Sequence, residues 1–150
     1  KTIAKTIRKC IELPGYELFG FIDEDGQRHV INSEDVNEFL KEVTDDDFSA
    51  KDFRTWGGTS LSAKNFYKLG FPEKKELLSK NIRDIVKVVA DHLNNTVSVC
   101  RNYYIHPSVI QTYQENILVP HFEIHYKNKS EKRGLSWDEY ALIRLPQKYA

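Results

Sequence analysis

Glu76-Leu-Leu-Ser-Lys-Asn-Ile-Arg-Asp-Ile-Val-Lys-Val-Val-Ala-Asp-His-Leu93 has the longest regular apolar period in the chain, and it decides the fold class. Leu78, Ile82, Ile85, Val89 and Leu93 step by four, three, four and four, which places them on one helical stripe with charged residues between. Asn94-Asn95 end that helix. Upstream, a helix starts near Ser49, carries Phe53, Trp56, Leu61, Phe66 and Leu69, and closes at Gly70-Phe-Pro72; Phe53 and Trp56 are expected in the core. Further back, Ser33 caps a helix bearing Val36, Phe39, Leu40 and Val43. Residues 16 to 31 read as a hairpin, with Phe19 and Phe21 alternating and Asp25-Gly26 as the turn. Ile3, Ile7 and Cys10/Ile11 mark a first helix that Pro14-Gly15 stops. Downstream, Val97 to Tyr104 suits a short helix and Pro107 starts another carrying Val109, Ile110 and Tyr113. Val119 to Tyr126 reads as a strand, Lys127 to Gly134 as a basic polar loop, and Ser136-Trp137-Asp138-Glu139 as a capped helix start. The expected class is mainly α with a minor β-hairpin.

The 150 residues suffice for one domain, burying about 70% of the surface of the unfolded chain. A single unit over 1–150 is expected, with 114–150 as a divergent tail. No apolar run is long enough for a membrane span, and the first residues lack a signal h-region. Cys10 and Cys100, ninety residues apart with no partnering spacing, fit free thiols and a reducing, cytoplasmic compartment. The absence of Met suggests a piece of a longer protein. Twenty-two basic and twenty-two acidic residues cancel, yet they are segregated. Residues 17 to 47 hold eleven acids against Arg28 and Lys41, a net of −9, so the remainder carries +9. A polyanion can meet one face while an acidic lobe points away, although scattered solvated charge is the commoner meaning of such counts.

Several chemistries are excluded by absent motifs: there is no Gly-rich phosphate loop, zinc spacing, His-Glu-x-x-His or Gly-x-Ser-x-Gly. Asp23-Glu-Asp25-Gly26 looks faintly like a calcium loop but lacks the remaining ligands, and reads as a turn. His121, Glu123 and His125 would share one face of a strand; without a fourth ligand they read as a solvated face.

Two stretches carry more. Ala50-Lys51-Asp52-Phe53-Arg54-Thr55-Trp56-Gly57-Gly58-Thr59 and Asn95-Thr96-Val97-Ser98-Val99-Cys100-Arg101-Asn102-Tyr103-Tyr104-Ile105-His106-Pro107 together resemble the catalytic domain of type IB DNA topoisomerases, of the bacterial and poxvirus-like branch. The resemblance runs in consistent order over residues 1 to about 113 and includes Leu13-Pro14-Gly15 and Asp23-Glu24-Asp25-Gly26. Lys51-Asp52-x-Arg54-Thr55 and Tyr104-Ile105-His106-Pro107 are its most specific parts.

The resemblance implies a multi-helical catalytic subdomain acting on double-stranded DNA, monomeric, without a cofactor or metal. It implies Tyr104 as nucleophile, leaving a 3′-phosphotyrosyl link and a free 5′ hydroxyl, with Arg54 on the non-bridging phosphate oxygens. Nine residues before the nucleophile, poxvirus enzymes carry His; Asn95 stands here, able to donate a hydrogen bond but not to carry a proton. Lys51, Arg101 and His106 are expected to contact DNA, Arg101 and His106 as the weaker candidates. Such residue types suit the reaction, because a guanidinium with paired N–H donors matches the charge that builds on equatorial phosphoryl oxygens. A phenol is mostly protonated at neutral pH, so positive charge beside it assists loss of the proton. Between Tyr103 and Tyr104, about 100° apart on a helix, the register against Ile105-His106-Pro107 selects Tyr104 and leaves Tyr103 to packing.

In the family an earlier Arg and a hairpin Lys complete the site, both upstream of the segment that Lys1 begins; neither Lys1 nor Arg8 matches them. The segment alone is therefore expected to be weakly active or inactive. Two other readings remain. A tyrosine recombinase shares the fold and the chemistry, but usually has His where Lys51 stands. A non-catalytic helical DNA-binding module would keep the fold without the reaction.

Overall fold

The computed structural model describes residues 2–128 and 134–145, so Lys1 and most of the basic loop expected over 127–134 lie outside the described residues. The chain divides into two compact units, residues 1–50 and 51–150.

In the first unit, α1 (Thr2–Glu12) follows the isoleucine period and stops before Pro14-Gly15. Strand β1 (Gly20–Ile22) pairs antiparallel with β2 (Arg28–Val30), with Phe21 opposite His29. The turn between them is held by Asp23, whose Oδ1 accepts the amides of Asp25 and Gln27 at 3.1 and 2.8 Å, and Gly26 takes the positive φ of 78° that the turn requires. Asp23 also bonds His29 Nε2 at 2.6 Å, and the hydrogen bond from that imidazole holds its carboxyl below the ordinary value. The calcium-like tetrad is thus a hairpin turn. Helix α2 (Ser33–Thr44) is capped by Asn32, one residue earlier than expected. Asn32 Oδ1 accepts from the Glu34 and Asp35 amides while Asp35 returns a bond to the Asn32 amide, a reciprocal cap that Ser33 does not provide.

The second unit contains the apolar core. Helix α3 (Ala50–Leu69) and helix α4 (Glu76–His92) face each other, burying Ala63 and Phe66 from one and Ile82, Ile85, Val86, Val89 and Ala90 from the other. A short α5 (Val97–Val99) runs directly into a π-helical turn, Cys100–Tyr104, and α6 (Pro107–Gln114) follows. Tyr113 of α6 stacks on Phe66 at 4.2 Å between ring centres. Its hydroxyl, the one polar group on that buried ring, donates to the Gly70 carbonyl at 2.8 Å and accepts from Asn81 at 3.0 Å.

Residues 119–126, expected as a strand, belong to α7 (Leu118–Lys127). Pro120 does not oppose the helix, because in its first turn the missing N–H costs nothing. Leu118 and Phe122, four apart, are fully buried on one face and each contributes about 2–3 kcal/mol of apolar burial. His121 and His125 then share a helical face with Glu123 turned away, and His121 Nε2 donates to the Ala141 carbonyl at 2.8 Å. No group of metal ligands occurs among the described residues. Helix α8 (Trp137–Ile143) starts at Ser136 with a capping box to Glu139, as its sequence indicated. Phe53 and Trp56, expected in the core, lie at the surface instead, 50% and 38% exposed. Trp56 lies two turns before Ala63 on the same side of α3, where the covering chain has thinned out, and its indole is spoken for by the Glu139 carboxylate. No described helix is long and apolar enough to cross a membrane.

One ion pair ties α8 to α3. Lys64 Nζ meets Asp138 Oδ2 at 2.8 Å, with the Lys64 side chain 39% exposed and that of Asp138 only 6%. Burial alone would raise the Asp138 carboxyl; the bonds from Lys64 and Ser136 outweigh it and hold the group below its ordinary value. Removing the lysine strands a buried carboxylate, whereas removing the carboxylate leaves a lysine that can turn to water. Lys64→Met is therefore expected to cost about 3 kcal/mol and Asp138→Asn about 1 kcal/mol in denaturant unfolding. A lowered folded-state value means that the pair stabilises above the ordinary Asp range and is lost as pH falls through it. The gap between wild type and Lys64→Met accordingly closes below about pH 4.

Candidate active site

Three of the residues singled out in the sequence come together at one end of the second unit. Helix α3 presents Arg54, the loop after α4 presents Asn95, and the π turn ends on Tyr104. Arg54 Nη2 donates to the Leu93 carbonyl at 2.6 Å, and Asn95 Nδ2 donates to the same oxygen at 3.2 Å. The Arg54 guanidinium carbon lies 5.1 Å from the centre of the Tyr104 ring. Two donors of the kind that grip a phosphoryl oxygen thus converge on one neutral acceptor beside the phenol.

Local chemistry builds this arrangement. Leu93 closes α4, Asn94 takes a left-handed φ of 51°, and the Asn95 amide returns to the Ala90 carbonyl at 2.9 Å, so the chain reverses within three residues. Thr96 caps the next helix by accepting from the Val99 amide. The π turn shows in the bond from the Ile105 amide to the Cys100 carbonyl at 3.1 Å, five residues back. Ile105 then buries its side chain at 3% exposure, and His106 caps α6. Helix α3 passes so close that a β-carbon on Gly58 would sit 2.4 Å from the Tyr104 carbonyl oxygen. Thr59, buried, donates to that carbonyl at 3.4 Å and accepts from the His106 amide at 3.0 Å.

The other expected residues divide. Lys51 is exposed, with Nζ 6.0 Å from the centre of the Tyr103 ring. Tyr103, expected to pack, is 61% exposed because the π turn swings it outward, while Tyr104 is half-buried. Arg101 is exposed on the same turn and forms no ion pair or hydrogen bond among the described residues. His106 Nδ1 accepts from the Ser108 amide at 3.3 Å and contacts the Ser108 hydroxyl at 2.7 Å, an assignment that puts the ring proton on Nε2. The Leu93 carbonyl, Gly58 and Thr59 were not marked out beforehand. The only sequence signal for the last two was an adjacent Gly57-Gly58 pair within a helical pattern, which local propensity disfavours.

The model of the eukaryotic DNA topoisomerase I catalytic core matches residues 1–131. DNA topoisomerase 1B of Acanthamoeba polyphaga mimivirus is 30% identical over 129 residues, which cover 81% of this chain and 38% of the viral protein. The chain belongs to the DNA topoisomerase I catalytic-core family, the type IB topoisomerases. It spans well under half the length of the viral relative. The matches name a eukaryotic-type core and a viral enzyme, and lend no support to the bacterial side of the branch expected from the motifs.

Cys100, which opens the π turn, is fully buried, and burial pushes its thiol up against a smaller opposing pull from the Arg54 charge. Cys10 is only half-buried. Titration of the native protein with a chromogenic disulfide reagent at pH 8 is expected to show Cys10 reacting promptly and Cys100 only at the rate of unfolding. Prompt reaction of both thiols would mean that the turn carrying Tyr104 opens readily.

Proposed function

We propose that this segment supplies the nucleophile and part of the phosphate-binding apparatus of an enzyme that relaxes supercoiled DNA by transient cleavage of one strand. Tyr104 Oη attacks a backbone phosphorus and gives up its proton, the bond to the 5′ oxygen breaks, and that oxygen takes up a proton as it leaves. The products are a 3′-phosphotyrosyl ester and a free 5′ hydroxyl. The ester conserves the energy of the broken bond, so the 5′ hydroxyl can attack in return and reseal the strand without ATP or metal. Arg54 and Asn95 exchange the Leu93 carbonyl for non-bridging phosphoryl oxygens and stabilise the charge that accumulates there. Asn95 acts by hydrogen bonding alone, since an amide carries no proton at neutral pH. Lys51, Arg101 and His106 contact the DNA backbone around the scissile phosphate.

The observation that carries this reading is the convergence of Arg54 Nη2 and Asn95 Nδ2 on one oxygen beside the Tyr104 ring, in a chain of the topoisomerase I family. Family membership and Lys51 favour relaxation over the synaptic exchange of a recombinase. The earlier Arg and the general-acid Lys of the family pattern are not among residues 1–150, and each such group is worth roughly 10²–10⁴-fold. The 150-residue segment alone therefore relaxes DNA weakly or not at all, and the activity belongs to the full-length protein.

Full-length protein mixed with a nicked duplex that releases its 5′ fragment is expected to form a covalent protein–DNA adduct. Tyr104→Phe abolishes it and Tyr103→Phe leaves it. Arg54→Ala slows its formation by about 10²–10³-fold, and Asn95→Ala by about tenfold. Relaxation of a supercoiled plasmid at a rate unchanged by Tyr104→Phe would overturn the mechanism, and salt-sensitive DNA binding without any adduct would leave a binding module in its place.

A further inference from the structure

A single hydroxyl bonds to the two successive peptide units that flank Ile105, the residue after the proposed nucleophile. Thr59 Oγ1 has one proton, which it gives to the Tyr104 carbonyl at 3.4 Å, and it uses a lone pair to accept the His106 amide at 3.0 Å. The side chain is buried, at 6% exposure, so water does not readily replace either bond. Ile105, between the two bonded groups, is anchored from the opposite side by its amide bond to Cys100 and by its own burial. Gly58 supplies the clearance, because any β-carbon there would meet both the Tyr104 carbonyl oxygen and, at 3.2 Å, Leu93 Cδ1. One turn earlier on the same helix, Thr55 makes a weaker version of the contact, its single hydroxyl proton shared between the Lys51 carbonyl at 2.9 Å and the Tyr103 carbonyl at 3.3 Å.

We infer that Thr59 is the positioning residue of the nucleophile: its hydroxyl clasps the backbone of residues 104 and 106 against α3 and so fixes the Tyr104 ring beside the Arg54 guanidinium. This inference rests on Tyr104 being the nucleophile. Thr59 touches neither DNA nor the reacting atoms; it acts through the main chain. Valine has the same shape without the hydroxyl, so Thr59→Val keeps the packing and releases both backbone groups. Serine keeps the hydroxyl and loses only a methyl group. A displacement of the phenol by about 1 Å costs on the order of 10²-fold in rate.

The test uses single-turnover adduct formation by the full-length protein at saturating nicked DNA, together with DNA affinity measured by fluorescence anisotropy. Thr59→Val is expected to slow adduct formation by about 10–100-fold while leaving Kd within about twofold, and Thr59→Ser is expected to stay within about threefold of wild type in both. Equal rates for Thr59→Val and wild type, or a Thr59→Ser variant as slow as Thr59→Val, would overturn the inference. Hydrogen exchange reads the clasp without any reaction: the His106 amide should be protected in wild type and Thr59→Ser, and free in Thr59→Val. An unprotected His106 amide in the wild-type protein overturns the clasp even where Thr59→Val fails to fold. If wild type forms no adduct, the reading of Tyr104 fails, and protection at His106 alone decides whether the clasp exists.

Discussion

The close approach of α3 to the carbonyl of Tyr104, permitted by the bare α-carbon of Gly58, is the constraint on which the site depends. Arg54 stands one turn before Gly58 on the same rigid helix, about 6 Å along its axis. Setting the distance from Gly58 to the chain at 104 therefore also sets the distance from the guanidinium to the phenol. Two adjacent glycines inside a twenty-residue helix are locally unfavourable, by about 1 kcal/mol each against alanine. Gly57 has open space around it, so the steric requirement falls on Gly58 alone. A conflict between local propensity and tertiary geometry at this place is what a functional contact looks like.

The stretch after residue 113, expected as a divergent tail, finishes the core, and the family match runs into it as far as residue 131. Leu118, Phe122, Ala141 and Leu145 join the same apolar cluster as Phe66 and Tyr113. Around its rim, Tyr67 donates to Glu123 at 2.6 Å, and burial with that carboxylate pushes its phenol up to about 12. The face of α3 turned toward α7 and α8 is thus held by packing, by this bond and by the Lys64–Asp138 pair, while Arg54 lies near the other end of the helix. The acidic excess is likewise confined. Residues 1–50 contain twelve acids against six bases, a net of −6, and 51–150 carry the matching +6, in the unit that bears Arg54, Tyr104 and Lys51. A field of that sign draws a polyanion toward the second unit.

Much of the helical framework was legible because apolar period, caps and breakers agreed: α1, α3, α4, α6 and α8 fall where those signals put them. The 119–126 segment misled because alternating His121, Glu123 and His125 imitate a strand. Phe53 and Trp56 misled because a large aromatic ring does not declare which part of a helix will be covered. The convergence of Arg54, Asn95 and Tyr104 was legible through motif resemblance, not through periodicity. Its hub, the Leu93 carbonyl, was not legible at all, since a backbone oxygen has no letter in the sequence. Nor was the π turn, because one widened turn leaves the apolar pattern from Val97 to Ile105 intact.

That widened turn bears on how the segment can change over evolutionary time. Between the cap at Thr96 and the buried anchor at Ile105 every residue is committed to helical winding, so gaining or losing one would rotate the phenol by about 100° about the local axis and away from α3. The hairpin tip at 23–27, whose bonds stay within the hairpin, is under no comparable restriction. Alignments of descendants of this chain should therefore remain gap-free across 96–105 while length variation accumulates at loop tips such as this one.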